Sequence, residues 1–496
     1  MANRTFRACL LGLAAVACLQ ADVRLPALIG DHMMLQRDLP VRLWGNADAG
    51  EPVNVSLAGK QASTVADALG RWSVSLAPLA AGGPFDLTIQ GKNALRISDV
   101  LIGEVWVASG QSNMEWPMAR VQNAETEIAA AAYPSIRVFQ VAKKVSDTPL
   151  PDVTGKWSRA DGDSVRNFSA VGYFFARHLH QKLGIPIGVI HSSWGGTPAE
   201  SWTSAPTLTR DPALTPLLHD WALNLSRYPE TFALYEKRRQ EWADGDKKAP
   251  QPQAPRGPGH PWTPGGLYNA MIAPLTPYAI RGAIWYQGES NADVARVGLY
   301  QRLFTTMIED WRRAWGLGEF PFLFVQLANF AKTGQSDWPN LREAQRNTLS
   351  LRNTGMAVTT DIGNPDDIHP TNKQDVGLRL ALQARSVAYG ERLVASGPMF
   401  KTASVEPHGM RVWFDSVGAG LKLKAGGTDL QGFTIAGADR KFVPATARIE
   451  GSTVLVSSPG VAQPVAVRYN WADNPDGDLY NTEGLPASPF RSKADF

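Results

Sequence analysis

Between Asp99 and Tyr389, short apolar runs take turns with amphipathic stretches, and this alternation constrains the fold more than any other feature of the chain. The runs Val100–Ala108, Ile136–Val141, Ile187–Ser192, Arg281–Tyr286, Phe322–Leu327 and Met356–Thr360 are predominantly apolar, as strands buried on both faces are. Between them lie segments with helical spacing. In Phe168–Leu183, Val171, Phe174, Phe175, Leu179 and Leu183 form one stripe, with Asn167 or Ser169 available as cap and Gly184 as stop. Gln301–Trp315 and Lys373–Tyr389 repeat the pattern. Strands joined by helices predict an α/β core with a doubly wound parallel sheet, whose ligands bind at the carboxyl ends of the strands.

The flanks follow another grammar. From Asp22 to Ser98, and again after residue 392, short alternating runs punctuated by Gly, Pro and Asp predict β-sandwich-like domains. The expected divisions are therefore 22–98, 99–392 and 393–496, in keeping with about three domains for 496 residues. Within the core, residues 207–262 break the alternation with a charged helical stretch and a Pro-rich run from Pro250 to Pro264, an excursion at the edge of the core.

Residues 1–21 read as a signal peptide: Arg4 and Arg7, then an apolar run from Ala8 to Leu19, then Ala21 at a cleavage site. Cleavage there would remove both cysteines, Cys9 and Cys18, and two of 49 basic residues, leaving 47 against 46 acidic ones. The expectation is export to the periplasm or medium. A lipoprotein signal over Ala15–Cys18 is the weaker reading, because Ala15 and Leu19 fit it poorly. No run is long enough to span a bilayer, and no basic stripe suits a nucleic-acid partner.

Four segments place chemistry at successive strand ends. Ser112 in GQSNMEW follows a strand with Gly110 two residues earlier, where a serine can expose its Oγ and its N–H. Met114 rules out the G-x-S-x-G elbow. His369 in DDIHP follows the last strand, and Pro370 holds it extended or in a turn. The glycines of HSSWGGT, Gly195 and Gly196, offer N–H groups to an oxyanion, and Gln287 in WYQGESN offers a side-chain amide. His191 lies inside a strand and reads as a packed core histidine. With no HExxH or paired-His spacing, no metal is expected.

These blocks resemble the SGNH (GDSL-like) hydrolases, and within them the sialate O-acetylesterase-like carbohydrate esterases. The resemblance rests on GQSNMEWPM (Gly110–Met118), SSWGGTPAESW (Ser192–Trp202), YNAMIAPLTPYAIRGAIWYQGESN (Tyr268–Asn291) and DIHPTNK (Asp367–Lys373). It implies a core flanked by β domains, removal of acetyl groups from sugars, and no cofactor. By motif, Ser112 is the nucleophile, His369 the base, and the Ser112 N–H, Gly195 or Gly196, and Gln287 the oxyanion donors. The D-x-x-H spacing selects Asp366 as the acid, with Asp367 the alternative. Glu289 and Asn291 would support the loop carrying Gln287. Trp116, Trp194, Trp202 and Trp285 would offer faces to sugar rings, at least two of them being expected as core residues instead. Arg120 and Arg281 are candidates for a substrate carboxylate. The resemblance leaves two substrate classes, an acetylated sialic acid or an acetylated hemicellulose such as xylan or xyloglucan. A sugar-binding protein without activity, and a lipase or thioesterase of the same superfamily, are the competing functions.

Overall fold

The computed structural model describes residues 22–424 and 429–495, so the leader expected over residues 1–21, with its two cysteines, lies outside them. The central sheet is built from β1 (Ala94–Gly110), β2 (Ala132–Gln140), β3 (Trp157–Asp161), β4 (Ile187–Ser193), β5 (Gly282–Tyr286), β6 (Phe322–Val325) and β7 (Thr354–Ala357). Their order is β7-β6-β5-β1-β4-β2-β3. All neighbours are parallel except β2 and β3, which pair antiparallel, so the expected parallel sheet is in fact mixed at one edge. The six expected runs all became strands: β4, β5 and β6 are buried along their whole length, and β1 from Val100 onward.

Helices cover both faces. Of α1 (Ser112–Glu115), α2 (Ala170–Leu183), α3 (Thr215–Asp244), α4 (Val297–Trp315), α5 (Trp338–Asn347) and α6 (Lys373–Val387), α2 packs through Phe175 edge-on to Trp106 of β1. Helix α6 lies beside α2, so close that a Cβ at Gly377 would meet Phe174. On the opposite face α4 sets Phe304 against Trp285 of β5 and Phe322 and Phe324 of β5's neighbour β6. Ser169, not Asn167, caps α2: its Oγ accepts from the Gly172 N–H and donates to the Met114 carbonyl, which ties the helix to the turn after β1. A cap of this kind contributes about 1 kcal/mol.

Strand β1 is 17 residues long and passes from the N-terminal β layers into the central sheet, so the change of pattern at Asp99 falls within one strand. Antiparallel strands 41–46 and 71–76 turn their buried alternates toward those of 52–57 and 82–90, and one apolar core runs from Val23 through Ala384. A second core, Met410 to Phe490, lies between two four-stranded antiparallel sheets. The excursion holds α3, a helix of 30 residues in which Leu217 is the buried residue. Among the described residues no helix is long and apolar enough to cross a membrane.

Candidate active site

Strand β1 lies between β4 and β5, and the turns after all three meet at one edge of the sheet. The chain leaves β1 through Gly110, whose φ of 137° and contact with the Tyr286 backbone exclude a side chain. Gln111 then starts the one-turn helix α1, and Ser112 is its first residue. The first turn of a helix leaves its N–H groups without helical partners, so the Ser112 N–H is available to a ligand.

The loop after β7 brings His369 over this turn. The Ser112 hydroxyl donates to His369 Nε2 at 2.9 Å. Trp116 stacks on the imidazole, with ring centroids 4.9 Å apart and planes 17° from parallel, and fixes its tilt. Burial pushes the imidazole below its ordinary range, the Lys373 cation pushes the same way, and the Asp367 carboxylate opposes both. A neutral histidine is therefore the resting form near neutral pH, as a base requires.

The preference for Asp366 is corrected. Asp366 points to solvent and pairs with Lys332 at 3.0 Å. Asp367 instead accepts the His369 backbone N–H at 2.9 Å and sets an oxygen 3.4 Å from His369 Nδ1. The glycine expectation narrows to Gly195, where a Cβ would stand 3.2 Å from Ser112 Cβ, while Gly196 faces outward and its carbonyl accepts the Trp262 indole N–H. The Gly195 N–H donates to Glu115 at 2.6 Å, and the other Glu115 oxygen pairs with Lys143.

Gln287 is also corrected. It is fully buried, and its amide donates to Asn291 Oδ1 at 2.6 Å and to the Thr197 carbonyl, while its oxygen accepts from Tyr300. With both ends of the amide taken, it braces the glycine loop against β5 and does not face Ser112. Asn291 completes that brace by accepting the Ala199 N–H and donating to Glu200. Glu289 accepts from Asn113 at 2.7 Å, directly behind Ser112.

The four tryptophans divide. Trp202 and Trp285 are core residues packed on each other and on Trp311, and are removed from the sugar-binding set. Trp116 has one face on His369 and the other under Arg120 at 3.9 Å, so no ring can stack there. Trp194 alone is partly exposed. Arg281 is tied to Glu104 near the other end of β1 and β5, far from the site. His191 is the packed histidine expected: Nδ1 meets Gln140 at 2.6 Å, Nε2 meets Ser193, and burial drives it down to about 3.

An open cleft of about 560 Å³ surrounds the pair, lined by Ser112, Glu115, Arg120, Gln140, Asn167 and His369 with Trp116, Pro117 and His191. Glu115 and Lys373 were not singled out in the sequence. Their signal was their place inside the two motifs, three residues after Ser112 and four after His369.

A serine and a histidine in hydrogen-bond contact at the carboxyl edge of such a sheet, with a glycine loop beside the serine, define an SGNH-type hydrolase. A family model described as carbohydrate esterase, sialic acid-specific acetylesterase, matches residues 254–386. The mouse sialate O-acetylesterase is 34% identical, covering 94% of each chain, and the human one is 32% identical over 78% of this chain and 77% of its own. The crystal structure of a carbohydrate acetylesterase from Xanthomonas citri is 43% identical and superposes with a TM-score of 0.82 over 95% of this chain and all of that one. The chain belongs to the sialate O-acetylesterase family, and it is a carbohydrate O-acetylesterase.

Proposed function

We propose that Ser112, His369 and Asp367 hydrolyse O-acetyl esters of a carbohydrate through an acetyl-serine intermediate. The observation that carries this reading is the 2.9 Å hydrogen bond between Ser112 and His369 in an open cleft, with a carboxylate on the far side of the imidazole. His369 takes the hydroxyl proton as Oγ attacks the acetyl carbon, then delivers it to the departing sugar oxygen; water repeats the sequence to release acetate. The Ser112 and Gly195 N–H groups receive the oxyanion once Glu115 turns away with Lys143, each such donor contributing about 3 kcal/mol to the transition state.

The polar lining, with Glu115, Arg120, Gln140 and Asn167, suits sugar hydroxyls and offers no channel for a long acyl chain. Arg120 is the guanidinium of the cleft and the group that would meet a sialic acid carboxylate. Acetate release from O-acetylated sialic acid, acetylated xylan and acetylated xyloglucan oligosaccharides tests the reading. Release from at least one, with acetyl strongly preferred over butyryl and longer 4-nitrophenyl esters, is expected. Indifference to acyl length, or no release from any glycan, overturns it. If sialic acid is the preferred sugar, Arg120→Gln raises its KM and spares xylan; if a hemicellulose is preferred, that substitution has little effect. Export through the leader-like residues 1–21, and a division at about 98 and 392, belong to the same proposal.

The acid is separable kinetically. Asp367→Asn is expected to lower kcat/KM on 4-nitrophenyl acetate by about 10- to 100-fold. Because the carboxylate raises His369, its loss also moves the acid limb of the pH profile to lower pH. Asp366→Asn breaks only an exposed pair with Lys332 and should match wild type. Wild-type rates in both variants would remove the acid from the mechanism.

A further inference from the structure

Behind the serine and histidine lies a buried polar cluster that the proposed mechanism does not use. The Lys373 side chain is fully buried, and its ammonium donates to Asn113 Oδ1 at 2.5 Å. The Asn113 amide nitrogen donates in turn to Glu289 Oε1 at 2.7 Å and to the Ile368 carbonyl at 3.0 Å. Only one orientation of the amide satisfies all three contacts, since a flip would face NH₂ to the ammonium and oxygen to oxygen. Asn113 follows Ser112 and Ile368 precedes His369, so one side chain joins the residues next to both members of the pair. The ammonium also lies 5.6 Å from the Trp116 ring and 5.5 Å from that of Tyr286. Trp116 is the ring stacked on His369.

A cation buried this way carries a desolvation cost that only good partners offset. Its direct partner is a neutral amide, and the other Glu289 oxygen is buried without a hydrogen bond.

We propose that Lys373 is a positioning residue of the reaction: through Asn113 it holds the Ser112 turn and the His369 loop in register, with its ammonium beside the Trp116 ring that stacks on His369. This rests on the reading of Ser112 and His369 as the reacting pair. The charged groups acting on His369 are Lys373, Asp367 and Arg120, and those acting on Lys373 are Glu289 and Asp367. Burial brings the lysine down to about 7 and raises Glu289, so the cluster holds its charge through the acid limb and loses it on the alkaline side.

The sign of the effect is fixed. A nearby cation disfavours imidazolium, so removing it raises His369, and the rate, which requires neutral histidine, is lost at higher pH than in wild type. In Lys373→Met the acid limb of kcat/KM on 4-nitrophenyl acetate should move up by about 0.5 pH unit or more, with kcat reduced about tenfold through lost alignment. Asn113→Asp leaves the lysine in place and charged but sets a carboxylate against it, which offsets its field at His369, and should move the limb the same way. It keeps the proposal open to refutation if the methionine variant does not fold. Ring-¹⁵N titration of His369 reads the same shift without reference to turnover, and so stands even if Ser112 proved not to be the nucleophile. A slower enzyme with an unmoved limb and an unmoved imidazole titration, in either folded variant, would make Lys373 structural only and overturn the proposal.

Discussion

Ser112→Ala is expected to lower kcat/KM on 4-nitrophenyl acetate by about 10⁴-fold or more, leaving only what binding and the oxyanion donors supply. His369→Ala should cost nearly as much, and the double variant little beyond either, because the two side chains act as one unit joined by a 2.9 Å hydrogen bond. Unfolding should hardly change in Ser112→Ala. The Ser112 side chain is only partly buried, and its hydroxyl is engaged with His369 alone, so its removal leaves no cavity and no buried orphan. Retention of more than a few per cent of activity in the folded variant would reject Ser112 as nucleophile and with it the acetyl-serine route.

The elements that place this pair were legible wherever burial is two-sided. Strands β1, β4, β5 and β6 stand inside the sheet, so most of their buried positions are apolar and the runs were visible without any partner. The edge strand β3 has an exposed face, pairs antiparallel and left no such trace. Motif positions located Ser112, His369 and the glycine loop, because a strand end followed by Gly or Pro is a local signal. What failed was the direction of single side chains. Asp366 and Asp367 differ by one position, and the choice was made by a turn: Asp367 folds back to accept the His369 N–H, while Asn364 accepts that of Asp366. Gln287 was misplaced because the groups that consume it come from other elements: Tyr300 from helix α4, 13 residues on, and Thr197 from the glycine loop, 90 residues earlier. That two of the four tryptophans are core residues was expected, but which two was decided by distant partners: Trp202 and Trp285 pack on each other, and Trp311 stacks edge-on against Trp285. Sequence spacing carries no information on such encounters until the layers are stacked.

Arg342→Met should have the largest effect on stability. Arg342 sits on α5 with its guanidinium fully buried and no carboxylate in contact. It donates to the Leu327 and Ala328 carbonyls after β6 at 2.8 and 2.7 Å, and to the Ala472 and Asp473 carbonyls of the C-terminal β region at 2.7 and 2.8 Å. Two irregular segments from different cores thus end on one cation, whose planar fork is what allows four carbonyls to converge. Methionine fills a similar volume but donates nothing. Each carbonyl left without a donor costs about 1–3 kcal/mol, partly recovered by entering water, so a net loss of about 3–5 kcal/mol is expected in denaturant unfolding. Arg342→Lys should restore only part of it, since one ammonium cannot reach all four acceptors. A loss below about 1 kcal/mol would mean that the C-terminal region is held by other contacts, such as Gln326 with Ser488 and Thr333 with Asp473. The Ser112 turn and the His369 loop are placed by β1, β7 and the Asn113 bridge, none of which touches Arg342. Folded Arg342→Met enzyme should therefore turn over near the wild-type rate while unfolding early, the reverse of Ser112→Ala, and the two variants together separate what holds this chain together from what makes it an esterase.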